Sequence, residues 1–153
     1  MLDLIIKNGK CYINGELNDV DVAIKDGKIK EIGQIQDDSK EIVNAEGQIV
    51  LPGCIDTQTH FREPGSTNTE DLHSGSRAAI VGGITSVFEM PNTNPPTSSM
   101  KEFQRKLDLA KNRMYCNYAF YFGATADNAD DLASLKGLEG CCGIKLFAGS
   151  STG

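Results

Sequence analysis

Short apolar runs separated by turn dipeptides dominate residues 1–50. Leu4 and Ile6 alternate with polar or outward positions, and Asn8-Gly9 and Asn14-Gly15 supply turn chemistry. The runs VDVAI (20–24) and KIKEI (28–32) flank Asp26-Gly27, a pairing that predicts a hairpin with a tight two-residue turn. A further strand, QIV (48–50), leads into Leu51-Pro52-Gly53. Residues 1–50 are therefore expected to form a small β-sandwich-like unit, incomplete by itself.

The pattern changes over residues 51–153. CIDTQTHF (54–61) reads as a strand, and a helix is predicted over 70–81 with Leu72, Ala79 and Ile80 near one face. A second strand, ITSVFEM (84–90), runs into the loop PNTNPPTSS. Next comes a helix over 100–113, capped by Ser98 or Ser99, with Phe103, Leu107 and Ala110 at helical spacing. A third strand, MYCNYAFYF (114–122), a short helix over 129–136 and a fourth strand, CCGIKLF (141–147), complete the order. Such alternation with short loops implies right-handed βαβ units and a parallel sheet, hence an α/β class.

Chemistry-prone residues fall at the strand ends: His60 and Arg62, then Asn92, then Lys145. Parallel sheets and (β/α)8 barrels place their sites there. A complete barrel takes about 250 residues, whereas this chain has 153 and reaches its fourth strand near its end. The expectation is a small β unit followed by the first four strands of a (β/α)8 TIM-type barrel, in a truncated chain. A doubly wound four-stranded sheet is the alternative.

Composition narrows the function. With 39% hydrophobic and 24% charged residues, the chain is neither disordered nor membrane-spanning in character. A net charge of -6 without Lys/Arg clusters argues against a nucleic-acid partner. The five cysteines (11, 54, 116, 141, 142) form no C-x-x-C pair, which favours reduced thiols and a cytoplasmic location.

The stretch IDTQTHFREPG (55–65) carries the most chemistry. Side chains two apart on a strand share a face, so Asp56, Gln58, His60 and Arg62 would project together if the strand stays extended to Arg62. The acid would orient a ligand or bind an ion, the imidazole would coordinate, and the guanidinium would capture a carboxylate. One histidine on a strand is more often structural. Lys145 lies between Ile144 and Leu146, where burying an ammonium is costly. It is either salt-bridged or, as a neutral amine, able to react with carbon dioxide to give an anionic carbamate. Asn92 and the backbone of GSSTG (149–153) add anion-binding capacity, and Glu63-Pro64-Gly65 is a stiff turn that would fix Arg62. His73 is expected at the surface or in packing, and YAFYF in the strand core.

Taken together, LPGCIDTQTHFREPG, TEDLHSGSRAAIVGGITSVFEMPNTNPPT and GIKLFAGSSTG resemble the dihydroorotases of the amidohydrolase superfamily. The resemblance covers essentially the whole chain. It implies a metal-dependent barrel hydrolase that interconverts N-carbamoyl-aspartate and dihydroorotate in pyrimidine synthesis. His60 would be a metal ligand, Lys145 a carboxylated lysine bridging one or two divalent ions (zinc), and Arg62 and Asn92 the binders of the substrate carboxylate. Remaining ligands and the general base come from later strands in that family, so the isolated chain is expected to be inactive.

The family pattern is D-x-H-x-H, whereas this chain has Asp56-Thr57-Gln58-Thr59-His60. An amide oxygen is a weaker donor to zinc than an imidazole, so Gln58 implies lower metal affinity, another metal preference, or lost catalysis. That leaves two alternatives: a non-catalytic dihydroorotase-like subunit, or a sister cyclic amidase of the allantoinase or hydantoinase type, which Arg62 with Asn92 disfavours. The expected partners are a small-molecule substrate and further copies of the chain.

Overall fold

The computed structural model describes residues 1–150 and divides into two compact units at Pro52–Gly53. The first holds strands β1 (Leu2–Lys7), β2 (Lys10–Ile13), β3 (Glu16–Asp19), β4 (Asp21–Lys25), β5 (Lys28–Gly33), β6 (Ser39–Asn44) and β7 (Ile49–Val50). They form two sheets, ordered β5-β4-β1-β6 and β3-β2-β7. Of the three predicted turn dipeptides, two form two-residue hairpin turns. Asp26 (φ 51°) and Gly27 (φ 70°) join β4 to β5, and Asn14 (φ 50°) and Gly15 (φ 92°) join β2 to β3. Two successive positive φ values are the requirement that Asn-Gly and Asp-Gly meet at low cost. The core differs from the simple alternation: Leu2, Ile5, Ala23 and Ile35 are buried, whereas Leu4 and Ile6 are only half-buried.

The second unit contains strands β8 (Cys54–Thr59), β9 (Ile84–Glu89), β10 (Asn117–Gly123) and β11 (Cys141–Lys145). Helix α1 (Leu72–Val81) joins β8 to β9, α2 (Met100–Ala110) joins β9 to β10, and a 3-10 helix (Ala129–Leu135) precedes β11. All strand pairs are parallel, and spatial order follows chain order. A doubly wound sheet reverses direction at a switch point; no reversal occurs among these four strands, so that alternative falls away.

Local chemistry explains the helix ends. Asp71 caps α1 by accepting from Ser74 N (2.7 Å), and Ser74 Oγ returns to Asp71 N, a reciprocal capping box. Ser99 caps α2 by accepting from Glu102 N. Gly75 lies under Phe61 so closely that a Cβ there would sit 2.5 Å from the ring. That contact puts Gly75 and Ser76 on the buried side of α1 and leaves Ile80 exposed, against the predicted face.

Leu72, Val87, Phe103, Ala110, Phe120 and Phe122 form the helix-side core, so the YAFYF run supplies strand core as expected. Lys106 and Glu89 share this core with essentially no exposed surface. They form an ion pair, and Lys106 Nζ also donates to Met90 O (3.1 Å) and lies 5.2 Å from the Phe120 ring centre. The buried stripe of α2 is thus Phe103, Lys106 and Ala110, at i, i+3 and i+7.

The described cysteines are all unpaired with one another. Burial pushes the Cys142 thiol up to about 12, which favours its protonated form. No helix among the described residues is long and apolar enough to cross a membrane.

The buried pair makes stability depend on pH. Burial raises Glu89 from 4.5 to about 8, against the opposing pull of Lys106 and then Arg62. Burial likewise lowers Lys106, against the pull of Glu89. A carboxyl raised by folding stabilises the fold fully below about 4.5, and that contribution is lost as pH rises through 8. Lys106→Met removes the counter-charge and should cost roughly 3–5 kcal/mol near pH 9. The loss should be smaller at pH 5, where Glu89 takes up a proton. Adding Glu89→Leu should recover most of it, as read by urea unfolding at the two pH values.

Candidate active site at the strand-exit rim

The four parallel strands end at Thr59, Glu89, Gly123 and Lys145, and the loops that leave them form one rim. β8 stops at Thr59, short of the predicted Phe61. Its register against β9 shifts between Asp56, which pairs with Val87, and Thr59, which pairs with Glu89. Both partners belong to the helix side, although Asp56 and Thr59 are an odd three positions apart. The alternation is therefore broken between Asp56 and Thr59, and Asp56 leaves the predicted face, whereas Gln58, His60 and Arg62 still alternate with the buried Thr59, Phe61 and Glu63. Asp56 serves its own backbone instead: Oδ1 accepts from Gln58 N at 2.9 Å. The Gln58 side chain is exposed, whereas His60 and Arg62 are half-buried.

His60 is the first residue past β8, where Met90 N donates to Thr59 O (2.9 Å) and carries the pairing one step further. Its Nδ1 lies 2.9 Å from Asn92 Oδ1. Asn92 was expected beside a substrate carboxylate; its amide oxygen is turned to the imidazole. The Asn92 loop is held by Thr93 N and Thr97 N, which both donate to Pro91 O at 2.9 Å.

The turn after Arg62 is pinned through Glu63. Its carboxylate accepts two bonds from Arg113 (2.7 and 3.1 Å) and one from Leu72 N at the start of α1 (3.0 Å). Asn94 N donates to Pro64 O (3.0 Å), which ties this turn to the second loop. Gly65, at φ 120°, lies so close to Asn94 that a Cβ would sit 2.9 Å from it. The stiffness expected of Glu63-Pro64-Gly65 thus comes from a bidentate ion pair on its first residue. Asn128 ties a third loop: it donates to Ser98 O and Gly123 O and accepts from Thr125 N.

Lys145 closes β11, paired with Gly123. It is half-buried, and its Nζ lies 5.1 Å from the Phe147 ring centre, a cation–π contact. It was expected to be the costly buried lysine; that position belongs to Lys106. The signal for Lys106 was present in the sequence. It stands three after Phe103 and four before Ala110, while Glu89 follows Val87 by two, so both charges fall on core-facing stripes.

A cavity of about 400 Å³ opens beside Asn92, lined also by Pro91, Ser98, Gly123, Thr125 and Phe147. Gly149 and Ser150 reach it as well. The remaining residues of the GSSTG loop, 151–153, lie outside the described residues. Among the described residues no three His, Cys, Asp or Glu side chains converge to hold a metal ion. The donors it brings to the rim are the His60 imidazole and the Lys145 amine, with the exposed Gln58 amide near by in sequence.

The model of the Amidohydrolase family matches residues 49–139, from β7 to the turn just before β11. The chain belongs to the amidohydrolase family. Enzymes of this family are generally metal-dependent. The amidohydrolase chain is 42% identical over 146 residues to an allantoinase of Escherichia coli O1:K1, covering 95% of this chain and 32% of that protein. An L-hydantoinase (dihydropyrimidinase) structure from Arthrobacter aurescens superposes with a TM-score of 0.90 at 29% identity, over 100% of this chain and 35% of that one. A D-hydantoinase (dihydropyrimidinase) from Thermus sp. gives 0.72 at 26% identity, over 86% and 30%. The chain spans about a third of the length of the curated relatives it matches. Its α/β architecture resembles the N-terminal part of the hydantoinase structures, with the parallel sheet of a half-barrel.

Glu63→Ala removes three bonds to a carboxylate and should lower stability by about 2 kcal/mol. Arg113→Lys should keep only part of this, because an ammonium cannot reproduce the two-pronged contact. Urea midpoints would measure both losses, and faster exchange of the Leu72 and Asn94 amides would locate them at the rim.

Proposed function

We propose that this chain forms one wall of the active site of a cyclic-amide hydrolase that opens a ureide ring of the hydantoin or allantoin type. Support comes from the family and from relatives named as an allantoinase and as hydantoinases. The observation that carries the reading is the contact between His60 and Asn92, which sets an oriented imidazole at the strand ends where such barrels do their chemistry.

In this reading His60 and Lys145, the latter as its carbamate, would hold a divalent metal together with further ligands. Bound there, a metal polarises the ring carbonyl and makes water a better nucleophile. The chain's own residues bind and orient. The cavity beside Asn92 and Phe147 receives the ring, and Ser98 and Thr125 bring hydroxyls to its wall. Arg62 reaches the polar edge of the substrate from the turn that Glu63 holds. Gln58 is the weakest donor of the set.

A second reading is dihydroorotate hydrolysis, and Arg62 favours it. Dihydroorotate carries a carboxylate that a guanidinium can grip by two bonds, whereas allantoin and hydantoin are neutral. A third, a non-catalytic subunit, is favoured by Gln58.

The test is a panel of allantoin, a 5-substituted hydantoin, dihydropyrimidine and dihydroorotate, offered to the protein that carries this chain, with zinc supplied or chelated. Ring opening of a neutral ureide is expected, lost on chelation and reduced at least about 100-fold by His60→Ala or Lys145→Ala. Turnover of dihydroorotate alone would replace the first reading by the second. Absence of both bound metal and turnover would leave the subunit reading standing.

A further inference from the structure

The geometry points to Asn92 as the residue that holds His60 in one tautomer, with the proton on Nδ1 and the lone pair of Nε2 presented to the rim. The Nε2 presentation matters for chemistry only on the proposed role of His60; the tautomer itself does not depend on it.

The distance between His60 Nδ1 and Asn92 Oδ1 is 2.9 Å, an ordinary hydrogen bond. An amide oxygen only accepts, so the imidazole nitrogen facing it must carry the hydrogen. A neutral imidazole has one N–H, which leaves Nε2 bare and able to donate its pair to a ligand. Amides and carboxylates that bond the rear nitrogen of a histidine commonly fix its ring in this way.

Both partners are immobilised independently of their mutual bond. On the Asn92 side, Lys106 Nζ holds Met90 O at 3.1 Å, and Thr93 N and Thr97 N hold Pro91 O at 2.9 Å each. Asn94 N is held by Pro64 O at 3.0 Å. Asn92 thus sits inside a run of fixed carbonyls and amides. On the His60 side, Thr59 O accepts from Met90 N at 2.9 Å, and Phe61 is buried against Gly75 of α1. Acceptor and donor are therefore brought together by the fold. Moving the proton to Nε2 would leave the Asn92 oxygen facing a bare Nδ1, two acceptors in contact.

Asn92 is accordingly a positioning residue: it acts on the rim through His60. The sequence supports a direct test, because the chain holds only two histidines, His60 and His73. His73 packs edge-on to Tyr115 at 5.1 Å and serves as an internal reference. Two-bond proton–nitrogen correlation spectra of the metal-free chain at about pH 9, above the ordinary imidazole range, report which ring nitrogen of each carries hydrogen. The expected result is Nδ1–H for His60. Asn92→Ala should shift it towards the Nε2–H form, while Asn92→Asp, which keeps an acceptor and has no N–H to offer, should restore Nδ1–H. Nε2–H in the unaltered chain would overturn the inference, and so would Nδ1–H that persists in Asn92→Ala. Should Asn92→Ala fail to fold, the unaltered chain and Asn92→Asp decide the matter, since Nε2–H in either one refutes it. The spectra involve no turnover, so their outcome is separate from that of the substrate panel.

Discussion

A buried ammonium must be neutralised where it stands, and in this protein that requirement organises the second unit. Lys106 has no exposed surface and is satisfied by the Glu89 carboxylate and the Met90 carbonyl. Those two acceptors are consecutive residues at the end of β9. Removing either charge would strand the other in an apolar layer, at a cost comparable to a large share of a domain's net stability. Helix α2 and the end of β9 are therefore locked in one relative position. The loop carrying Asn92 begins at the locked carbonyl.

The same division recurs around the rim: charged or amide side chains hold the loops from behind, while the groups suited to chemistry stay in front. Glu63 ties the first loop to Arg113 and to the start of α1. Asn128 ties the third loop to Ser98 and Gly123. His60, Arg62 and Lys145 are each half-buried, which leaves them accessible to a ligand. A fixed rear and an accessible front meet the demand that site residues be preorganised without being sealed off.

The two lysines at this end of the sheet show how burial divides roles. Lys106 is committed to structure by its ion pair. Lys145 rests against the Phe147 ring, which leaves its amine to other chemistry. The proposed cyclic-amide chemistry turns on residues of the second kind, whereas the stability of their supports turns on the first. Gln58 remains the point where this chain departs from the D-x-H-x-H pattern, and its exposed side chain imposes nothing on the fold.

Much was legible in the chain because it depends on local rules. Asn14-Gly15 and Asp26-Gly27 specify tight hairpins by backbone sterics, and Ser99 specifies a helix start through its own hydroxyl. The βαβ alternation specifies a parallel sheet through the length of its connections. The His60, Arg62, Asn92 and Lys145 motif positions likewise announced a rim at the strand ends. Tertiary packing alone decided the rest. The break in β8 that separates Asp56 from the His60 face arises from registration against β9, which no residue in the strand encodes by itself. The burial of Lys106 with Glu89 and the turning of Asn92 to His60 are contacts across 17 and 32 positions of sequence. Such contacts exist only once the sheet brings their strands together, so spacing along one element could place the residues but not choose their partners.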